Sequence, residues 1–248
     1  MNPRVNPLLN MTKVQLRNAF VTPEQKRTYV RRLFATIADR YDLITQLLSF
    51  GQDRRWKRTL VALADVRAGA RVLDLACGTG DITYQIATRG ADATGLDVTI
   101  RMLELANAKR IGTPVHFLAG DMMALPFAAA QFDVVTSSYG IRNVPTIQPA
   151  LSEIHRVLRP GGLFLSLDFN RPQNAVVRGV YLGYLTVVGS ALGLALHSDP
   201  DTYRYIPESI RRYPGASAVC DLARTSGFSQ CEWIPVLGGL MAIHRAVK

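Results

Sequence analysis

Residues 73–81 read LDLACGTGD, from Leu73 to Asp81, and this stretch decides the fold. Leu73, Leu75 and Ala76 close an apolar run of the kind that forms a buried strand, and Gly78 and Gly80 break it with a turn. Glycine there lets the backbone approach a ligand closely, and a helix opening just beyond aims free N–H groups at the same place. The geometry suits a nucleotide or nucleoside. Asp97 closes the next strand in GLDV and sets a carboxylate where ribose hydroxyls would lie. A dinucleotide site would need the third glycine of GxGxxG for close helix packing, and the chain reads CGTGDIT. Further on, GDMMALPF sets Asp121 to meet an adenine amino group and Met122 to lie against the ring face. Asp74, at the end of the first strand, is placed to receive an ammonium group through water or the loop backbone. Together these positions predict S-adenosylmethionine as the cofactor.

Working outward, strand-like runs at 70–76, 91–97, 115–119, 132–138 and 163–168 alternate with helical patterns at 82–88, 100–110 and 146–158. Such alternation builds βαβ units and a mostly parallel sheet with helices on both faces. Arg159-Pro160-Gly161-Gly162 is expected to end the last of these helices, because proline cannot continue it and glycine allows the turn into the next strand. Runs at 228–235 and 238–246 read as two closing strands paired as a hairpin at the sheet edge, making seven in all. Upstream, Val30, Phe34, Ile37, Leu43, Leu47 and Leu48 recur mostly at helical spacing between Pro23 and Ala64, with Thr22 as cap. The expectation is one α/β domain: residues 1–64 as an N-terminal helical cover, and 65–248 as the main fold with a lid segment at 171–213.

The formal net charge is +10, and residues 1–40 carry eight basic side chains (Arg4, Lys13, Arg17, Lys26, Arg27, Arg31, Arg32 and Arg40) against Glu24 and Asp39. A basic segment of this kind serves as a solvated helix face or meets an anionic surface. The basic residues are not interleaved with a stacking aromatic series and no base-flipping motif is present, which argues against nucleic acid as partner. Cys77, Cys220 and Cys231 form neither an even framework nor a metal-ligand pair, so a reduced cytoplasmic setting is expected and no metal is called for. No apolar signal core follows Arg4 and Lys13. Gly179 to Leu196 is eighteen residues without a charge, the minimum for a membrane span. Four glycines, Thr186 and Ser190 within it favour a lid helix lining an apolar pocket.

Over nearly its whole length the chain resembles the ubiquinone/menaquinone biosynthesis C-methyltransferases. The resemblance is carried by LDLACGTGD, YDLITQLLSFGQDRRWKR (41–58), ALPF (124–127), FDVVTSSYGIRNV (132–144), RVLRPGGLFLSLDF (156–169), DTYRYIPESIRRYP (201–214) and the C-terminal GGLMAIHRA. LDLACGTGD and LRPGG are widespread in class I methyltransferases, whereas YGIRNV and YRYIPESIRRYP are far more specific. The resemblance implies a class I, Rossmann-like methyltransferase fold and transfer of a methyl group to a ring carbon of a prenylated quinol, with demethylmenaquinol ahead of a ubiquinone precursor. It also places Thr79, Asp97, Asp121, Met122 and Ser138 at cofactor-contact positions. The chain departs from the family pattern at Thr45, commonly asparagine, at Asp53, commonly histidine, and at Cys77, commonly glycine.

A quinol ring carbon becomes nucleophilic when the neighbouring hydroxyl, of pKa about 10, gives up its proton. Arg142 in YGIRNV is a fixed cation able to stabilise the oxyanion, and Asn143 offers a donor and an acceptor to orient a ring hydroxyl or a water. On chemistry alone, Arg142 pairing with a lid carboxylate and Asn143 capping the next turn are the simpler roles; the resemblance moves both to catalysis, with Tyr41 as the matched partner from the cover. Asp42 and Asp39 are the carboxylates considered for the proton. Of the histidines, His116, His155 and His244 read as structural and His197 borders the lid. The apolar lid and the basic N-terminus together suggest peripheral contact with an anionic membrane, at its inner face. Methylation of another small apolar acceptor, and a non-catalytic, cofactor-binding role in a quinone-synthesis assembly, are the alternative functions. A homodimer is a further candidate arrangement, on which the sequence carries no signal.

Overall fold

In a computed structural model, residues 16–109, 112 and 114–248 are described; Arg4, Lys13 and Arg110 lie outside them. Seven strands form one sheet: β1 (Arg71–Leu75), β2 (Asp92–Asp97), β3 (His116–Ala119), β4 (Phe132–Ser138), β5 (Leu158–Phe169), β6 (Gln230–Val236) and β7 (Met241–Val247). Their order is β3-β2-β1-β4-β5-β7-β6. The first five run parallel, and β7 is antiparallel to both β5 and β6. Val72, Leu73, Leu75, Val135, Leu165 and Leu167 are all buried, as a parallel sheet covered on both faces requires.

Before the sheet come α1 (Pro23–Ile37), α2 (Tyr41–Leu48) and α3 (Asp53–Leu63). Thr22 caps α1 by accepting from the Gln25 N–H at 3.2 Å. The single helical pattern read from the sequence is thus broken twice: by a 3₁₀ turn at Ala38–Arg40, and by a bend where Phe50 and Gly51 take positive φ. From α3, Trp56, Leu60 and Val61 enter the same core as Val72, Ile86, Leu165 and Ile243. One face of the sheet is therefore closed by α3 and α4 (Asp81–Ala87). On the other, α6 (Ile147–Val157) and α9 (Ala216–Thr225) bury Leu151, Ile154 and Ala223 against Val135, Phe164 and Phe228. Helix α5 (Ile100–Lys109) connects β2 to β3.

The Arg159–Gly162 segment corrects one expectation. Helix α6 has already ended at Val157, and the proline and glycines lie inside β5, where the pairing with β4 shifts register between Phe132 and Val134. Gly161 has φ 75°, so the glycines serve an irregular strand entry rather than a helix stop.

The uncharged stretch forms most of α7 (Ala175–His197), about 35 Å long at 1.5 Å per residue. It is long and apolar enough by length and composition to cross a membrane. Yet it packs on the protein through Tyr181, Leu182 and Leu185, which meet Ile210 of α8 (Tyr205–Arg212). Gly193 is needed for this packing: a Cβ there would lie 2.5 Å from the Asp199 carbonyl. Cys220 and Cys231 lie side by side in the α9–β6 core.

His244 sits in the middle of β7, opposite Ser166 and Trp233, and is 1% exposed. Neither ring nitrogen has a partner among the described residues, and burial lowers its pKa to about 4. The unfolded chain takes up this proton near pH 6.5, so the unfolded state binds more protons between 6.5 and 4 and stability falls as pH drops through that window. Between pH 7 and 5 the protein should lose about 2 kcal/mol more than a His244→Leu variant, measured by urea unfolding.

Candidate active site

The loop between β1 and α4 is pinned from β2. Asp97 Oδ2 accepts the Gly78 N–H at 2.9 Å, and its Oδ1 accepts the Thr99 N–H at 2.8 Å. Burial raises the Asp97 pKa against these hydrogen bonds. The two glycines do different work. At Gly78 an added Cβ would meet only Tyr41, at 3.8 Å, so its backbone faces open space; at Gly80 it would lie 2.9 Å from Phe117, so that glycine is needed for packing. The Asp74 carboxylate, pushed up to about 6 by burial, accepts the hydroxyls of Thr83 at 2.7 Å and Thr136 at 2.8 Å and braces the strand end from behind.

Gly78, Asp97, Asp121, Met122 and Ser138 line one cleft together. Ser138 Oγ and Thr99 Oγ1 are buried on its wall with no partner among the described residues, the state of hydroxyls built to meet a ligand. Met122 is both wall and core, packed with Leu96 and Leu125. The cleft is narrow, about 90 Å³, and Arg27, Val30, Arg31 and Phe34 of α1 form one side of it. Arg27 Nε is 3.4 Å from Asp121 Oδ2, a half-exposed pair that costs little to open. Thr79 departs from its expected place: its hydroxyl donates to Asp42 at 2.7 Å and accepts from Lys109 at 2.9 Å, outside this cleft.

Beyond β4, the 3₁₀ turn Ile141–Asn143 is held from four sides. Asp168, at the end of β5 and fully buried, accepts the Arg142 backbone N–H at 3.0 Å and its Nε at 3.2 Å. Arg142 Nη1 donates to Ser209 of α8, and its guanidinium lies 5.1 Å from the Phe169 ring centroid. Lys26 of α1 donates to the carbonyls of Arg142 at 3.0 Å and Val144 at 2.5 Å; burial and then Arg142 lower its pKa to about 8. Asn143 Nδ2 donates to the Tyr139 carbonyl at 2.6 Å, and its Oδ1 accepts the Tyr205 hydroxyl at 3.1 Å. Arg142 and Asn143 are therefore both fixed in place by hydrogen bonds to the surrounding protein. The carboxylate partner of Arg142 comes from β5, not from the lid, and only Nη2 of Arg142 has no partner among the described residues.

A second cavity, about 660 Å³, opens between α1, α2 and α7. Its walls are mostly apolar, among them Phe34, Ile44, Leu48, Val180 and Leu185. Tyr41, Tyr139 and Asn143 line both cavities and so mark their junction. Burial lifts the Tyr41 phenol to about 12, with Lys57 opposing. The Tyr139 phenol is pushed well above its ordinary value by burial and by Asp53, to which it donates at 2.7 Å. Burial acts against the Lys57 charge, but Asp53 at 2.8 Å and Asp81 at 3.0 Å more than offset it and raise its pKa. Lys109 continues the chain from Asp81 to Asp42, at 2.8 and 2.9 Å.

Both carboxylates considered for the proton are engaged elsewhere. Asp39 pairs with Arg101 at the surface and Asp42 with Lys109. Sequence reasoning also missed Asp168, Lys57 and Tyr139. Asp168 lay in a quoted stretch, SLDF, whose carboxylate at a strand end was a readable signal; the Tyr139–Asp53 contact spans 86 positions and had none. The basic N-terminal segment is partly internal as well: Lys26, Arg27 and Arg40 bond to groups of the protein, while Arg31 and Arg32 are exposed.

Residues 22–248 match the ubiE/COQ5 methyltransferase family. The ubiquinone/menaquinone biosynthesis C-methyltransferase UbiE of Dinoroseobacter shibae is 38% identical over 234 residues, 92% of this chain and 94% of its own. The demethylmenaquinone methyltransferase of Paenarthrobacter aurescens is 36% identical over 91% and 88% of the two chains. Among solved structures, a SAM-dependent methyltransferase of Thermotoga maritima, titled a possible histamine N-methyltransferase, has a TM-score of 0.63 at 18% identity, covering 88% of this chain and 99% of its own. At that identity the likeness speaks for the fold alone. The match across the cofactor cleft, the turn after β4 and the helices that cover them means that this chain belongs to the ubiE/COQ5 methyltransferase family.

Proposed function

We propose that this protein transfers a methyl group from S-adenosylmethionine to a ring carbon of a prenylated quinol, with demethylmenaquinol the leading acceptor. The observation that carries this reading is the meeting of two cavities at Tyr41, Tyr139 and Asn143: a narrow cleft with cofactor-type groups, and a large apolar one sized for a ring and the start of an isoprenoid tail. Relatives named for both ubiquinone/menaquinone and demethylmenaquinone methylation support the acceptor class.

The cofactor, when bound, supplies an electrophilic methyl group on a sulfonium. Asp97 would hold the ribose, Gly78 with its open backbone and Ser138 the amino-acid end, and Asp121 and Met122 the adenine. Asp74, behind the strand end, and Gly80 shape the loop; Thr79 ties it to α2 through Asp42. Loss of positive charge in the transfer means that the protein's main tasks are alignment and exclusion of water. Tyr41 closes the junction from the cover, Asn143 fixes the wall between Tyr139 and Tyr205, and Arg142 directs its remaining Nη2 toward the acceptor oxygen. The segment 171–213 acts as the lid.

Contact with a membrane is supported by what surrounds the apolar cavity. Val176 and Val180 line it yet are more than 70% exposed, and Val187 and Leu194 continue the same stripe along α7. Phe50, on the opposite rim, is 77% exposed and stacks on Tyr184. Arg54, Arg55 and Arg58 follow it on α3, exposed and without a carboxylate partner among the described residues. An apolar rim flanked by arginines fits the inner, anionic face of a bilayer, from which a prenyl tail would enter.

Incubation with S-adenosylmethionine and a panel of reduced, demethylated prenyl quinones should yield singly ring-methylated products by mass spectrometry; no product from any member would remove the reading. Asp97→Ala should weaken cofactor binding by about tenfold or more in calorimetry, through loss of a charged hydrogen-bond partner. Arg142→Ala should leave Asp168 buried without its partner, cost about 3–5 kcal/mol of stability and lower turnover, while cofactor affinity of the folded fraction is kept. Vesicles containing anionic lipid should retain the protein at low salt, and paired Val176→Glu and Val180→Glu substitutions should release it; equal retention of the variant would argue against this face.

A further inference from the structure

Methylation at a ring carbon requires that the neighbouring hydroxyl lose its proton, yet no carboxylate or histidine lines the apolar cavity among the described residues. The proton must leave through a side chain that borders the cavity and is itself bonded to an acceptor. Four tyrosines of the lining hold such a bond; Tyr181 and Tyr205 donate to neutral amide oxygens, of Leu240 and Asn143, and two face a side chain that can take a proton. Tyr203 contacts His197 at 2.8 Å but lines only the apolar cavity, away from the cofactor cleft. Tyr139 stands at the junction and donates to Asp53 Oδ1 at 2.7 Å.

Local structure points to the same residue. Tyr139 follows the last residue of β4 with φ 60°, a conformation that a tyrosine adopts rarely. Its backbone N–H is held by the Leu167 carbonyl at 2.8 Å and its carbonyl by Asn143, so the side chain is fixed against Phe169 with its hydroxyl toward α3. Asp53 is 3% exposed, and its Oδ2 is paired with Lys57, which is anchored in turn by Asp81. The carboxylate is thus held in place by one oxygen while the other faces the phenol.

We propose that Tyr139 and Asp53 form the proton-accepting dyad of the acceptor site, Tyr139 touching the substrate hydroxyl and Asp53 acting through it as the positioning residue and final acceptor. This rests on the prenylated quinol reading above. As the acceptor O–H bond breaks, its proton bonds to Tyr139 Oη, whose own proton passes to Asp53 Oδ1. The electron pair left on the acceptor oxygen moves into the ring and makes the ortho carbon nucleophilic. After the new carbon–carbon bond forms, that carbon loses its hydrogen to water as the oxygen takes back a proton along the same path, so each turnover releases one proton. Asn143 and Tyr205 keep the wall fixed, and Lys57 holds the Asp53 carboxylate in place.

Tyr139→Phe and Asp53→Asn keep shape and test this in two ways. The first needs no turnover: binding of a short-chain prenyl hydroquinone and of its O-methyl ethers is measured by calorimetry with S-adenosylhomocysteine present. The wild type should prefer the free phenol at least tenfold, and both variants should bring the ratio within about threefold. The second is kinetic: kcat should fall ten- to a hundredfold in each variant with little change in KM, and the loss should shrink at least tenfold for an acceptor whose hydroxyl is two pKa units more acidic. An unchanged phenol-to-ether ratio, or a kcat loss independent of acceptor acidity, would overturn the dyad. If the wild type methylates no quinol of the panel, the functional reading fails, and the binding ratio still decides whether the dyad engages a phenol.

Discussion

The pairing of Arg142 with Asp168 is the contact on which the site depends. A guanidinium and a carboxylate, 4% and 0% exposed, meet between the turn after β4 and the end of β5, where removing one would leave the other buried and unpaired at a cost of about 3–5 kcal/mol. Once they pair, the turn after β4 has one conformation. Its carbonyls then accept Lys26 from α1, its guanidinium takes Ser209 from α8, and its asparagine takes Tyr205. The sheet, α1 and α8 are thereby referred to one point, and YGIRNV and YRYIPESIRRYP, the two most specific stretches, touch there.

A comparable economy governs the cover. Asp42, Asp53 and Lys57 lie on α2 and α3, yet their partners Thr79, Asp81, Lys109 and Tyr139 belong to the loops and helices around the strand ends. Each pair alone would contribute modestly, but a continuous chain of them in a partly buried setting fixes the orientation of α2 and α3 over the cofactor loop. Helix α1 is held through Lys26 on the turn after β4, and its Arg27–Asp121 pair, beside the cleft, is a weaker, half-exposed contact.

The long helix α7 shows how one sequence feature divides between two environments. Only 22% of its most apolar stretch is buried, because glycine at 189 and 193 brings the chain around Asp199–Tyr203 against one face and leaves the valine stripe on another. The buried face closes the apolar cavity, while the exposed one is continuous with the cavity's rim.

By itself the sequence determined the strand–loop–helix alternation, hence the sheet and the position of the cleft beside the glycine loop. These depend on local periodicity and on glycine and aspartate at strand ends, which act over a few residues. It also picked out Asp97, Asp121, Met122 and Ser138, which line one cleft together, because each sits at the end of a predictable strand or just beyond it. Partnership was decided only in three dimensions. Arg142 met Asp168, Asp53 met Tyr139 and Lys57, and Thr79 turned to Asp42 instead of the cleft. A charged side chain buried by tertiary packing must find an opposite charge or a donor, and which one lies within 3 Å is set by how helices and strands far apart in sequence come together. The LDLACGTGD loop was legible from its own residues; what stands across from it was not.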